Sequence, residues 1–238
     1  MINQPHYLLI GSGHTSKHFQ NYLRLLKIPY TAWDRTQTAL QLKNRLTPAT
    51  HVLLLISDSA IEGFFREHLQ NSGKTIVHFS GALEIPGVIS AHPLMTFSKN
   101  LYSLEDYQRF PFVTTSTLPF SEILPGLPNS FYRLRPEQKP LYHALCVLSG
   151  NFTNLLWQKM NSGLKSMGLP PEIFHPFLEK TTFNILQDPE NSLTGPLARK
   201  DLKTVLANDR ALSGDPCQKI YRAFVEVYFP EALREIGK

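Results

Sequence analysis

The chain has 238 residues, 42% of them hydrophobic and 18% charged, a balance that suits one large or two modest globular domains and excludes disordered and fibrous classes. Lys plus Arg number 24 against 19 Asp plus Glu. This mild excess is scattered, with no basic run interleaved with aromatics, so nucleic acid is not an expected partner and a small phosphate-bearing ligand accounts for the charge as well.

In chain order, the first half alternates strand-like and helix-like segments. Residues 6–10 are apolar and strand-like, and 15–26 place Phe19, Tyr22, Leu23 and Leu26 at helical spacing. Strand 29–33 and a short helix 37–46 follow. Residues 52–56 form a continuous apolar run, the pattern of a strand buried on both faces. Asp58 is the expected cap of a helix reaching Leu69. Strands are expected at 75–79, 88–91, 111–115 and 130–134. This alternation predicts a doubly wound parallel sheet with helices on both faces. Beyond residue 136 the pattern is helical: 142–167, apolar on one face, then 171–186, a turn over 191–199, and helices 201–212 and 216–236. The expected organisation is an α/β domain at 1–136 and an all-α domain at 137–238.

The chemistry is concentrated at strand ends. Gly11-Ser12-Gly13-His14-Thr15-Ser16 joins the first strand to the first helix. Gly11 permits a tight turn, Gly13 lets backbone approach a pyrophosphate, and the third position, here Ser16, wants a small residue. The helix N-terminus beyond, with His14 and Thr15, supplies free N–H groups to the phosphates. Trp33-Asp34-Arg35-Thr36 ends the second strand. Asp34, 21 residues after Gly13, stands where a carboxylate binds the ribose of NAD. Arg35 and Thr36 stand where a guanidinium and a hydroxyl bind the 2′-phosphate of NADP. NADP is favoured and NAD stays open.

Ser57 and Asp58 follow the third strand and join the cofactor set. Ser80 follows the fourth and is a candidate partner of nicotinamide or substrate, or a turn residue before Gly81. His92, ahead of Pro93, is the candidate acid or base. Asn151, eight residues and about two turns after His143, shares its face and could reach a substrate. Arg199 could bind a substrate carboxylate, with Asp201 as an N-cap beside it. No metal site is expected, since the histidines are dispersed and Cys146 and Cys217 lack ligand spacing. No signal peptide is visible and no apolar run is long enough for a membrane, so a soluble, cytoplasmic protein is expected.

The glycine loop and Trp33-Asp34-Arg35-Thr36 resemble the 6-phosphogluconate dehydrogenase superfamily, which includes pyrroline-5-carboxylate reductases and β-hydroxyacid dehydrogenases. Three later segments narrow the resemblance: residues 77–82 followed by His92-Pro93-Leu94, residues 142–151, and Leu193-Thr194-Gly195-Pro196-Leu197-Ala198-Arg199-Lys200-Asp201. Together they resemble a family of two-domain Rossmann-like proteins whose helical half is a domain of unknown function, number 2520. That family usually has Gly where this chain has Lys200, and Ala where it has Gly150. The resemblance implies an NAD(P)-dependent oxidoreductase and a homodimer built through the helical half, and leaves the substrate open; Arg199 makes a small, anionic substrate in the cleft between the domains the expectation. It also implies a helical lysine as acid, for which Lys159 is the nearest candidate without a supporting motif. A non-catalytic NAD(P)-binding or sensing protein is the alternative.

Overall fold

The computed structural model describes residues 4–236. Seven strands form one sheet in the order β2-β1-β3-β4-β5-β6-β7. They are β1 (Tyr7–Ile10), β2 (Tyr30–Trp33), β3 (His51–Leu54), β4 (Thr75–His78), β5 (Ile89–Pro93), β6 (Phe112–Thr114) and β7 (Phe131–Arg133). β1 pairs in parallel with β2 on one side, Tyr7 against Tyr30, and with β3 on the other, Tyr7 against His51. The chain therefore reverses its direction of travel between β1 and β3, and the crevice at their carboxyl ends is where such sheets bind ligands. The sheet is not wholly parallel: β6 runs antiparallel to β5, with His92 opposite Val113, and β7 is parallel to β6.

Alternation along the strands builds two cores. Tyr7, Leu9, Leu53 and Val77 face one layer, packed under α1 (His14–Leu25), α4 (Leu104–Arg109) and α5 (Phe120–Ile123). Leu8, Ile10, Val52 and Leu54 face the other, under α2 (Ala39–Leu46), α3 (Asp58–Phe64) and the π-helical turn Phe65–Leu69 that extends it. Helices α4 and α5 have no counterpart in the periodicity, because each is only one or two turns long. Thr38, not Gln37, opens α2, through a capping box with Gln41. Ser57 is the N-cap residue of α3, so Asp58 is its first helical residue and not the cap.

Strands end at Arg133 and only helices follow among the described residues. α6 (Lys139–Cys146), a π-helical stretch Val147–Phe152 and α7 (Thr153–Ser166) run consecutively where one helix from residue 142 was expected. α8 (His175–Gln187), α9 (Leu202–Ala211), α10 (Cys217–Tyr228) and α11 (Pro230–Leu233) follow. The expected single helix to 236 breaks at Phe229, because Pro230 forces the preceding residue out of helical geometry, to φ −148° and ψ 62°. The chain divides into two compact units, Met1–Leu156 and Trp157–Lys238. The second unit has its own small core of Val205, Val225, Phe229 and Ala232. A bidentate pair lies beside it, Arg222 donating to Asp209 at 2.7 and 2.9 Å. No helix among the described residues is long and apolar enough to cross a membrane.

Candidate functional site

The crevice between β1 and β3 opens into a groove of about 580 Å³, lined by Gly11, Ser12, Gly13, His14, Thr15, Asp34, Arg35 and Ser57, together with Trp33, Phe64 and His68. The two loop glycines differ in kind. Gly11 has φ +123°, and a Cβ there would lie 2.3 Å from the Leu55 carbonyl oxygen, so the fold itself requires glycine. Gly13 has an ordinary φ of −70° as the N-cap of α1, and a Cβ there would meet nothing within 4 Å. No protein atom requires glycine at 13; the open space in front of it faces the groove. Ser16 is fully buried, and its hydroxyl donates to the Gly11 carbonyl at 2.6 Å, tying the helix back to the loop where glycine or alanine could only pack.

At the far end of the groove Asp34 is already engaged. Its Oδ1 accepts from the Thr36 amide at 2.9 Å and the Thr36 hydroxyl at 2.5 Å. These bonds hold its carboxyl below the usual carboxylate range. Thr36 is thus spent on the turn and does not line the groove, whereas Arg35 lines it with no ion pair among the described residues.

A second cavity, of about 220 Å³, adjoins the groove through Thr15, Leu55 and Ile56 and is lined by Asp58, Ser80, His92, Phe79, Met95 and Phe97. Asp58 is the one carboxylate among its described lining residues, and it accepts from the Ser80 hydroxyl at 2.6 Å. The Ser80 oxygen in turn accepts from the amides of Ala82 and Leu83 at 3.2 and 3.1 Å. One donor and two lone pairs are all a hydroxyl has, so Ser80 is committed to its turn and to Asp58. His92 receives its position from β5, and its Nδ1 lies 2.8 Å from the Tyr142 hydroxyl of α6. Burial, and then His143 and Lys139, push His92 down to about 4, which leaves it neutral at pH 7. His78, completely buried beneath the site, is pushed down to about 4 chiefly by burial; its Nδ1 accepts from the Ser80 amide.

Lys139 is a residue the sequence did not single out. Its ammonium is almost wholly buried and donates to the Leu83 carbonyl, to Glu84 at 2.7 Å and to Ser90 at 2.5 Å. All three protons are used, so it clamps α6 to β5 and holds none for a substrate. Tyr142 was also unassigned. Neither carries a local signal, since each acquires its role from strands roughly fifty residues away in sequence.

The remaining candidates are elsewhere. Asn151 is exposed in the π-helical stretch after α6. Arg199 lies in the second unit, exposed in the turn before α9, and Asp201 caps that helix by accepting from the Thr204 amide at 3.1 Å. Lys159 is ion-paired with Asp215 within the second unit.

Residues 117–227 match the domain of unknown function DUF2520. The C-terminal region is a DUF2520 domain. No curated protein matches the chain. Among solved structures, a candidate NADP oxidoreductase of Bacteroides fragilis is 22% identical, with a TM-score of 0.78 over 97% of this chain and 100% of its own. A reductive aminase from Aspergillus terreus, in complex with NADPH and ethyl levulinate, is 15% identical, with a TM-score of 0.63 over 98% and 95%. Pyrroline carboxylate reductase of Plasmodium falciparum, with NADP bound, is 9% identical, with a TM-score of 0.60 over 100% of each chain. At such identities the likeness is one of fold: a Rossmann-like sheet preceding a DUF2520 helical region.

Proposed function

We propose that this DUF2520 protein is an NADP-dependent oxidoreductase of a small molecule, with the cofactor along the glycine-loop groove and the substrate in the smaller cavity beside it. The observation that carries the reading is Gly13: a glycine that no protein contact demands, at the N-terminus of a 12-residue helix, beside a groove with room for a dinucleotide. Its neighbour Gly11 needs no ligand to explain it. NADP is favoured over NAD because Asp34 Oδ1 is turned to Thr36, while Arg35 lines the same end of the groove with no ion pair among the described residues. The cofactors bound to the fold neighbours in Aspergillus terreus and Plasmodium falciparum point the same way. When bound, the reduced nicotinamide supplies hydride; the chain's part is to orient the reacting carbon and to stabilise the heteroatom beside it.

Among the described residues the smaller cavity is lined by no cation, so nothing in it favours an acidic substrate. Asp58 and Ser80 form a fixed pair at the wall, and His92 is the group free to meet a substrate. A second reading, a binding or sensing protein without turnover, is favoured by one observation: a neutral His92 and a fully engaged Lys139 leave no charged acid in the cavity.

Fluorescence titration of the wild-type chain with NADPH and NADH tests the proposal. NADPH binds at least tenfold more tightly, and Gly13→Ala abolishes binding while leaving thermal stability unchanged. Gly11→Ala, by contrast, costs on the order of 3 kcal/mol of stability through a forbidden Cβ contact. Equal affinity for both cofactors, or full NADPH binding by Gly13→Ala, refutes the assignment. Cofactor binding with no NADPH oxidation by aldehydes, ketones, imines or keto acids selects the sensor.

A further inference from the structure

The partnership between His92 and Tyr142 carries an inference that rests on the oxidoreductase reading and extends it. We propose that Tyr142 is a positioning residue that holds His92 as the tautomer with its proton on Nε2. The neutral imidazole then presents an N–H donor to the heteroatom of a carbonyl or imine in the smaller cavity.

The pairing is built by two elements in register. Along β5, Ser90 and His92 are two residues apart and share a face; along the α6 side, Lys139 and Tyr142 are three apart and share a face. Lys139 donates to the Ser90 hydroxyl, and Tyr142 meets His92 Nδ1 at 2.8 Å. The buried lysine is therefore the fastener that brings the tyrosine to the histidine. The two rings meet edge to face, at 80°.

Which atom owns the proton between them follows from chemistry. Burial lowers the basicity of His92 and raises the pKa of the Tyr142 hydroxyl, so both are neutral at pH 7. A phenol is a strong donor and a weak acceptor, and an imidazole nitrogen is the strongest neutral acceptor present; Cys146, the other neighbour of Tyr142, offers only a weak sulfur. The O–H of Tyr142 therefore points at Nδ1, and the ring hydrogen is left on Nε2.

Nε2 has no hydrogen-bond partner among the described residues, and it lies beside the backbone of Gly81, where His143 Nδ1, itself buried without a hydrogen-bond partner, fills the space a side chain would take. A Cβ at Gly81 would stand 3.1 Å from His92 Nε2 and 2.3 Å from His143 Nδ1. Of the other titratable groups around the ring, Asp58 lines the same cavity, Lys139 is consumed, and His143 stands edge-on with ring centres 6.0 Å apart. None of them takes the Nε2 proton, so that donor is left for a ligand.

The test is two-bond 1H–15N correlation of the histidine rings in the full-length chain at pH 7.5, without cofactor. The wild type shows His92 with a protonated Nε2 and a bare, hydrogen-bonded Nδ1. Tyr142→Phe shifts His92 to a mixture in which the Nδ1-protonated form at least doubles. Replacement of the tyrosines by 3-fluorotyrosine, a stronger donor of the same shape, moves the Nδ1 resonance in the direction of a stronger hydrogen bond. A wild-type His92 protonated on Nδ1 overturns the proposal even if no variant folds. So does a tautomer indifferent to Tyr142→Phe, or an Nδ1 resonance indifferent to fluorination. The readout needs no cofactor or substrate, so it stands apart from the NADPH titration, whose failure would remove the oxidoreductase reading and leave the tautomer measured.

Discussion

Individual side chains at the site are set by burial more than by charge. His78 and His92 are both held near 4, whereas an unfolded chain titrates its histidines near 6.5. Between those values the unfolded state binds more protons, so their contribution is fully present above about pH 6.5 and drains as pH falls toward 4. Denaturant midpoints measured from pH 7.5 to 4.5 fall by the equivalent of a few kcal/mol, on the order of the two shifts together. His78→Asn flattens roughly half of that fall, and a stability profile flat across the window sinks the account. The sequence marked Gly11, Gly13, Asp58, Ser80 and His92 because each follows or ends a strand at the sheet's ligand-binding edge. It left Ser80 open between a ligand and a turn and offered Thr36 to a phosphate; in the structure both hydroxyls donate to neighbouring carboxylates, Asp58 and Asp34.

At the scale of the element, both departures from the family pattern have conformational meanings. Lys200 takes φ +52°, the left-handed region in which glycine is at ease, and this explains the glycine usual there. Its side chain offsets part of the cost through an exposed contact of 3.8 Å with Glu231. Lys200→Gly and Lys200→Ala both remove that contact, but only alanine keeps the strained backbone. The glycine variant is therefore more stable than the alanine variant by about 1 kcal/mol, read as a thermal midpoint several degrees higher. Equal midpoints would show that the turn relaxes. Gly150 needs no positive φ and has nothing within 4 Å of a Cβ, so alanine fits there as well. Periodicity found the long elements and missed α4, α5 and the π-helical turns, because one or two turns give too few repeats to establish a period. It read a parallel sheet, which holds for every pairing but that of β5 with β6. Strand composition does not encode direction, and only the course of the chain between Pro93 and Phe112 turns β6 around.

For the molecule as a whole, the most telling surface is the apolar face that the helical pattern marked from residue 142 onward. Leu141, Leu145, Leu148, Phe152 and Leu155 recur at alternating spacings of four and three, and each is at least half exposed. The homodimer expected from the family resemblance would cover this stripe, since exposed apolar bands of this kind mark interaction sites. Sedimentation at micromolar concentration reads a dimer, and Leu145→Glu with Phe152→Glu converts it to a monomer that still binds NADPH. A wild-type monomer removes that expectation.

Taken by itself, the sequence determined the layout. Strand and helix periods, a glycine loop and a late helical region specify a Rossmann-like sheet with helices after it, because local burial patterns and turn chemistry are written in neighbouring residues. It also determined which strand ends carry polar groups. Only the tertiary structure decided what those groups do. Ser80 is satisfied within the fold, Asp34 Oδ1 is held by Thr36, Gly13 is left open, and His92 meets Tyr142 on a helix clamped by Lys139. Those relations join residues roughly fifty positions apart, and no local pattern encodes a distance of 2.8 Å between them.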